Sequence, residues 1–417
     1  MRKLLILGAD YTEIEIVTAA REMGYYSIVT DNRTDWTKSP AKYVADEAWN
    51  ISYSDIDLLT DKCRENGVEG CMAGFSEFRI NSAQKLCKRL GLPFYAERVN
   101  LDFIINKAYF KEKCLQNGIT VPKSYKPDED IQFPVIVKPV DNGGSKGISI
   151  CFSDEQLKAA HALAVENSSS RQVLIEQYIQ ADEVMIYFTV HNGIVDLSAM
   201  CDRYMHRYDR RITQLPIGYC FPSKHLETFV KYHYNNFKDL IEDIGIKNGL
   251  IAFQSFVIDK DVIPFDPTYR LDCTMSYHLC QKQNQSNVLK MLINYSMNST
   301  MGDDELISSH ESPYFEKFSF ELPILLGKGT ISVIRGIEEI RNMKEVIHVF
   351  VKQGVNDVMG KTADFLQMFC RIHLLCNNES EMLTAVRRVF DIISILDESG
   401  NDMIINRNFF AERIIQE

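Results

Sequence analysis

The chain has 417 residues, 45% of them hydrophobic, with 46 lysines and arginines against 57 aspartates and glutamates. That length exceeds one ordinary core and predicts about three domains. A net charge of −11 argues against a general binder of nucleic acid or anionic membrane, which would be basic. With 21 Gly and 12 Pro, a collagen-like or disordered chain is excluded.

No apolar run reaches the roughly 18 residues that a membrane span needs. Met1-Arg2-Lys3 before Leu4–Leu7 has the look of an export signal. Gly8 ends the run, however, and Asp10, Glu13 and Glu15 follow, so the segment reads as a buried first strand. Eleven cysteines with no Cys-x-x-Cys pair predict reduced, mostly buried thiols and a cytoplasmic protein. The nine histidines show no metal spacing with these cysteines.

Residues 1–105 alternate strand and helix. Apolar Leu4–Leu7 turns at Gly8, and Ile14, Ile16, Val17, Ala20 and Met23 make a helical face ending at Gly24. Strands follow at Tyr26–Thr30, Ala48–Ile51 and Gly70–Ala73. Ser54 caps a helix to Arg64, and Glu77–Leu90 is the next. The rhythm predicts a parallel sheet with helices on its faces. The first turn, Gly8-Ala9-Asp10, lacks the further glycines of a dinucleotide site. Asp31 is accordingly a turn or cap residue.

Residues 106–182 read as helix Asn106–Asn117, strand Phe133–Pro139, the loop 141–147, strand Ile148–Phe152, a helix opened by a Ser153/Gln156 capping box, and strand Val173–Glu176. Residues 183–270 look antiparallel, with helical sequence to about residue 300 and a loop at 301–313 after them. Hairpins turn at Asn192-Gly193 and at Asp259-Lys260-Asp261, with one long helix over Ser223–Ile244. Residues 320–417 have a compact α+β order, β-α-β-β-α.

The loop Gly143-Gly144-Ser145-Lys146-Gly147 is not a Walker loop, because it joins two strands. It is either a plain hairpin turn or a flap offering backbone N–H groups and the Lys146 charge to phosphates. Lys138 sits in the apolar strand before it, where an ammonium is costly without an anionic partner. Lys107 lies on the preceding helix. Glu176 ends the strand after the loop, and Glu183 follows seven residues later.

This set resembles the ATP-grasp superfamily, and the likeness extends over nearly the whole chain, in the branch of L-amino acid ligase, biotin carboxylase and carbamoyl-phosphate-synthase-like proteins. It implies a fold of mixed α/β and α+β class: a Rossmann-like domain at 1–105, a small lid subdomain at 106–182, a large subdomain at 183–319 and an α+β domain at 320–417. It implies that Lys107 and Lys138 hold the α- and β-phosphates of ATP and that residues 143–147 close over them. Glu176, Gln177, Tyr178 and Ile179 would meet adenine, and Glu183 the ribose. Magnesium is the implied metal, and an ADP-forming ligase joining a small carboxylate to an amine through an acyl phosphate is the implied activity. A homodimer is an expected assembly, with no nucleic-acid or membrane partner.

The sequence departs from the pattern at the metal site. The family has an acid on one strand and Glu-x-Asn-Pro-Arg on its partner; here stand Gln254, then Pro264-Phe265-Asp266-Pro267, with Arg270 two residues late. One carboxylate with phosphates and waters suffices for one magnesium ion. Asp266 is the expected ligand, with Gln254 beside it; an ordinary turn at a strand end is the other reading. Arg270 is the candidate for stabilising charge on the transferred phosphoryl group, or else a surface arginine. Arg203, Arg207, Arg210 and Arg211 either bind an anionic substrate or form a charge-balanced loop. Glu77 either faces a substrate amine or is a helix N-terminal acid. Two rival functions stand: a bicarbonate-phosphorylating enzyme, and an ATP-binding protein without catalysis. The chain has no Met-Lys-Met biotin site, so biotin would arrive on a partner.

Overall fold

The computed structural model describes all residues except 127–128, 142–145, 208–213, 303–310, 361–366 and 408–417. The N-terminal part is β1 (Lys3–Leu7), α1 (Glu13–Glu22), β2 (Tyr26–Thr30), α2 (Ala41–Val44), β3 (Glu47–Trp49), α3 (Ile56–Asn66), β4 (Val68–Met72) and α4 (Glu77–Leu90). Its four strands are parallel in the order β3-β2-β1-β4. The chain leaves β1 toward β2 on one side and meets β4 on the other, so a crevice opens at the carboxyl ends of β1 and β4. Asp55, one residue beyond the expected Ser54, caps α3 through Leu58 N–H. Asp31 proves a turn residue: its carboxylate binds Arg33 N–H, Ser39 and the buried Lys42.

Helix α5 (Arg98–Ile105), which sequence periodicity does not separate, leads to α6 (Lys107–Gln116), the helix expected at 106–117. Asn106 caps α6, its side chain accepting from Ala108 and Tyr109 N–H. A small antiparallel sheet follows, made from β5 (Ser124–Tyr125), β6 (Val135–Pro139) and β7 (Ser149–Cys151), then α7 (Asp154–Glu166) and β8 (Val173–Gln177), in the order β5-β8-β6-β7. It has a core of its own, in which Val135, Val137, Cys151 and Ile175 meet Ala160 and Ala164 of α7. Ser153 caps α7 by accepting from Gln156 N–H, but Gln156 accepts from Phe152 N–H and not from Ser153 N–H, so the cap forms without the reciprocal bond of the expected box.

The large sheet begins with β9 (Asp182–His191), β10 (Ile194–Arg207) and β11 (Gln214–Phe221). Asn192 and Gly193, both at positive φ, make the first hairpin turn. The predicted long helix is two, α8 (Leu226–Tyr232) and α9 (Tyr234–Asp243). They divide at His233, whose side chain bonds the Lys260 carbonyl instead of prolonging the helix surface. Next come β12 (Gly249–Ile258), β13 (Asp261–Tyr269), α10 (Tyr277–Asn284) and α11 (Val288–Asn298), the last packed on β4.

The C-terminal strands depart from the expected separate unit. They are β14 (Phe318–Leu325), β15 (Gly329–Arg335), α12 (Ile337–Arg341), β16 (Val346–Val351), β17 (Val358–Met359), β18 (Met368–Cys376), α13 (Glu379–Ile392) and β19 (Ser394–Asp397). β14, β18 and β16 extend the large sheet, giving eight strands in the order β13-β12-β9-β10-β11-β14-β18-β16. Only β17-β15-β19 stand apart. The reason is edge pairing: β11 offers Tyr219–Phe221 to Ser319–Glu321 of β14, and an unpaired apolar edge would be costly.

Candidate active site

Backbone bonds fix the first group of candidates. Lys107 N–H donates to the Val140 carbonyl, at 3.0 Å, so α6 starts against the end of β6. Beside it, Ile136 of β6 pairs with Glu176 of β8. Glu176 is almost fully buried, and Lys138 Nζ lies 2.5 Å from its Oε2. Its other oxygen is bonded by Lys111 of α6, which also reaches the Pro122 carbonyl and Ser124 Oγ. The anionic partner that Lys138 required is thus within the chain, and Lys111 is a site residue that sequence reasoning passed over. Its signal was one turn of helix after Lys107. Burial alone would raise the Glu176 carboxyl; Lys138 and Lys111 hold it below its ordinary value. Burial also draws Lys111 down, with Lys138 adding to that effect. The acid faces two cations and each cation faces another, so both directions fit one triad.

Gln177 is exposed, Tyr178 half-buried and Ile179 buried along the connection toward β9. Gly143, Gly144 and Ser145 lie outside the described residues, while Lys146 is exposed at the loop's return. Gly147 has a positive φ, and a Cβ there would stand 2.7 Å from Asn167, so this close return suits glycine alone.

A second group gathers where β12 and β13 meet the N-terminal crevice. Gln254 and Asp266 are directly opposed and both half-buried. A bulge follows, setting Pro264 against Ser255. Arg270 Nη2 lies 3.5 Å from Glu77 Oε1, at the start of α4. Burial lifts the Glu77 carboxyl above its ordinary value; Arg270 and Lys107 counter this, and Asp266 adds to it. Glu77, Arg270, Asp266 and Lys107 therefore share one electrostatic neighbourhood. Arg270 is neither a surface arginine nor fully satisfied: its Nε is buried without a hydrogen-bond partner.

A third feature was invisible in sequence. Directly opposed residues share a sheet face, and one such row runs Glu183, Arg203, Tyr219, Glu321, His373, His348 across β9, β10, β11, β14, β18 and β16. Arg203 lies 2.7 Å from Glu183 and over the Tyr219 ring, so it is a buried ion-pair partner and not part of a solvated loop. Arg207 ends β10 in register with Gln214; Arg210 and Arg211 lie outside the described residues. Arg371 pairs with the fully buried Glu321. Tyr187, Ser276 and Asp272 form a buried hydroxyl–carboxylate cluster beside the row, with Ser276 Oγ 3.2 Å from Glu321 Oε2.

Comparison with known proteins accounts for this layout. The family model described as the D-ala D-ala ligase C-terminus matches residues 107–205, which hold both lysines, the loop, Glu176 and Glu183. The fold of the biotin carboxylase domain of Hydrogenobacter thermophilus 2-oxoglutarate carboxylase superposes over 100% of this chain and 95% of that one, with a TM-score of 0.81 at 16% identity. The chain has an ATP-grasp fold, and residues 107–205 match the ligase family model.

The fold of L-amino acid ligase from Bacillus licheniformis also matches this chain, covering 95% of it and 99% of the other at a TM-score of 0.77 and 16% identity. Among curated relatives, D-alanine--D-alanine ligase of Fusobacterium nucleatum is 30% identical over 167 residues, 39% of this chain and 54% of that protein. The 2-oxoglutarate carboxylase small subunit of Hydrogenobacter thermophilus is 26% identical over 202 residues, 43% of each. The chain spans about half the length of the curated relatives it matches. The expected architecture of a mixed α/β ATP-grasp fold with a large antiparallel sheet holds. No helix among the described residues is long and apolar enough to cross a membrane.

Proposed function

We propose that the chain is an ADP-forming ligase that activates a small carboxylate with ATP and joins it to an amine. The observation that carries this is the buried Lys138–Glu176–Lys111 triad, inside the segment matched by the ligase family model and next to the start of α6. A lysine ammonium has three N–H donors, so Lys138 can bond Glu176 and still face a phosphate, with Lys107 supplying the second charge. Gly143–Gly147 and Lys146 are assigned to the phosphate cover, Gln177, Tyr178 and Ile179 to adenine, and Glu183 to ribose. Domain limits at 105, 182 and 319 accompany this reading, the third separating functional regions within one shared sheet.

Magnesium fits the donor set. Asp266 and Gln254 offer a carboxylate and an amide oxygen directly opposed across two strands, suited to a hard cation that keeps waters. When bound, the ion would neutralise charge on the β- and γ-phosphates. A carboxylate oxygen attacks the γ-phosphorus as its bond to ADP breaks. The amine then attacks the acyl carbon, its proton is lost, and phosphate leaves. Arg270 is aimed at that charge, and Glu77 at the amine. Ten of the eleven cysteines are buried and all are free thiols, which favours a cytoplasmic setting. A homodimer is part of the proposal, since a relative's biotin carboxylase domain is described as a dimer. ADP release is measured with pools of amino acids, small acids and bicarbonate, followed by product mass. An amide product is expected; ADP released with bicarbonate alone selects the carboxylase-type reading. The Gln254 and Pro264 departures favour the non-catalytic reading as the rival, and ATP binding with no ADP from any pool would select it.

A further inference from the structure

Away from the phosphate cradle, three side chains from distant parts of the sequence converge. Glu15 comes from α1, His278 from α10 and His348 from β16, the edge strand of the large sheet. His348 Nε2 lies 3.2 Å from Glu15 Oε1, and His278 Nε2 lies 3.2 Å from Glu15 Oε2. The two imidazoles stack with centroids 3.8 Å apart, and one ligand atom from each residue falls within 4.8 Å of the others. It is the one group of metal-ligating character among the described residues.

We propose that Glu15, His278 and His348 are the protein ligands of one divalent transition-metal ion of the zinc class, separate from the nucleotide-linked magnesium. Zinc bonds of about 2.0–2.1 Å to nitrogen and oxygen place tetrahedral ligand atoms roughly 3.3 Å apart. Each histidine Nε2 lies close to that spacing from one of the two Glu15 oxygens, 3.2 Å in both cases. His278 Nε2 is buried and lacks a hydrogen-bond partner despite facing Glu15, so its approach is not that of an aligned donor.

An outer shell is present as well. Tyr277 OH donates to Glu15 Oε2 at 3.4 Å, orienting the carboxylate in the way that outer-shell partners do. The three ligands retain about a fifth of their exposure, at 24%, 21% and 19%. His278 also lines a cleft of about 400 Å³ together with Gln281, Lys282, Gln285 and Ile347, so one ligand faces open space. The ligand set is mixed nitrogen and oxygen, which suits zinc, and it is too nitrogen-rich for magnesium. Bound there, the ion ties the first helix of the N-terminal sheet to the far edge of the large sheet.

The test uses tag-free full chain, stripped with chelator and free of nucleotide. Zinc is titrated in competition with a chromophoric chelator, and cobalt is substituted to read its visible spectrum. The expected result is one ion per chain. Glu15→Gln and His348→Gln should each weaken binding by more than about 100-fold, beyond the 10–100-fold that outer-shell changes cost. Zinc should also raise the unfolding midpoint of the parent and not of the variants. No stoichiometric zinc in the parent, or parental affinity in both variants, overturns the proposal and leaves a hydrogen-bonded Glu–His pair. Should either variant fail to fold, the parent's cobalt spectrum decides. Intense bands of four- or five-coordination support the site, and the weak spectrum of the aquo ion overturns it.

Discussion

At the scale of single residues, the strongest commitments are the buried charges. Glu176 is held below its ordinary pKa against burial by Lys138 and Lys111. A carboxyl lowered on folding stabilises fully above its unfolded pKa of about 4.3, and that contribution is lost as pH falls through the folded value. Acid unfolding of the parent should therefore steepen below about pH 4. Glu176→Gln should flatten that limb and cost about 3 kcal/mol at neutral pH by leaving two lysines uncompensated; urea midpoints against pH check both. Asp266→Asn should retain nucleotide binding and lose most ADP formation, because it removes the carboxylate assigned to magnesium. Gln254→Glu should sharpen magnesium dependence. Steady-state ADP release across magnesium concentrations reads both variants, and parental turnover in Asp266→Asn would remove that residue from the metal site.

At the scale of elements, helix-on-sheet contact sets tolerances that no side-chain inventory reveals. α11 crosses β4 at Gly70, where a Cβ would stand 2.6 Å from the Ser296 backbone carbonyl and press on Met297. Backbone cannot swing aside as a flexible side-chain end can, so Gly70→Ala should push α11 off the strand. The expected loss is about 1–3 kcal/mol, visible in the urea midpoint with nucleotide contacts untouched. The small sheet of β5–β8 contrasts with this. Its core with α7 is separate from the main core, and the bond from Lys107 N–H to the Val140 carbonyl joins it to the start of α6.

At the scale of the whole molecule, the eight-stranded sheet is the connecting object. Its polar row runs from Glu183 on β9 to His348 at the far edge. Arg371 and Glu321 lie near its centre with almost no exposure. Arg371→Met should cost about 3–5 kcal/mol by stranding Glu321. The double change Arg371→Met with Glu321→Leu should recover much of that loss, because a buried pair replaced by apolar groups is often tolerated. Denaturant unfolding of Arg371→Met, Glu321→Leu and the double variant tests this; additive losses would show that the two residues do not act as a pair.

Local chemistry made much of the protein legible before folding was considered. The βαβ rhythm of 1–105 followed from apolar periodicity and glycine stops, the Asn192-Gly193 hairpin from its need for positive φ, and the Ser153 cap from its place before a helical run. The order Lys107, Lys138, glycine loop, Glu176, Glu183 marked the ATP-grasp family because those residues lie along one short run of chain. What tertiary structure decided depends on contacts between distant segments. Lys111 became a partner of Glu176 through the packing of α6 on β8, and α8 parted from α9 where His233 met a hairpin turn. The C-terminal strands joined the large sheet through the free edge of β11. Glu15, His278 and His348 have no common spacing; only the docking of α1, α10 and β16 brings them together, and proximity of that kind is written in no local pattern.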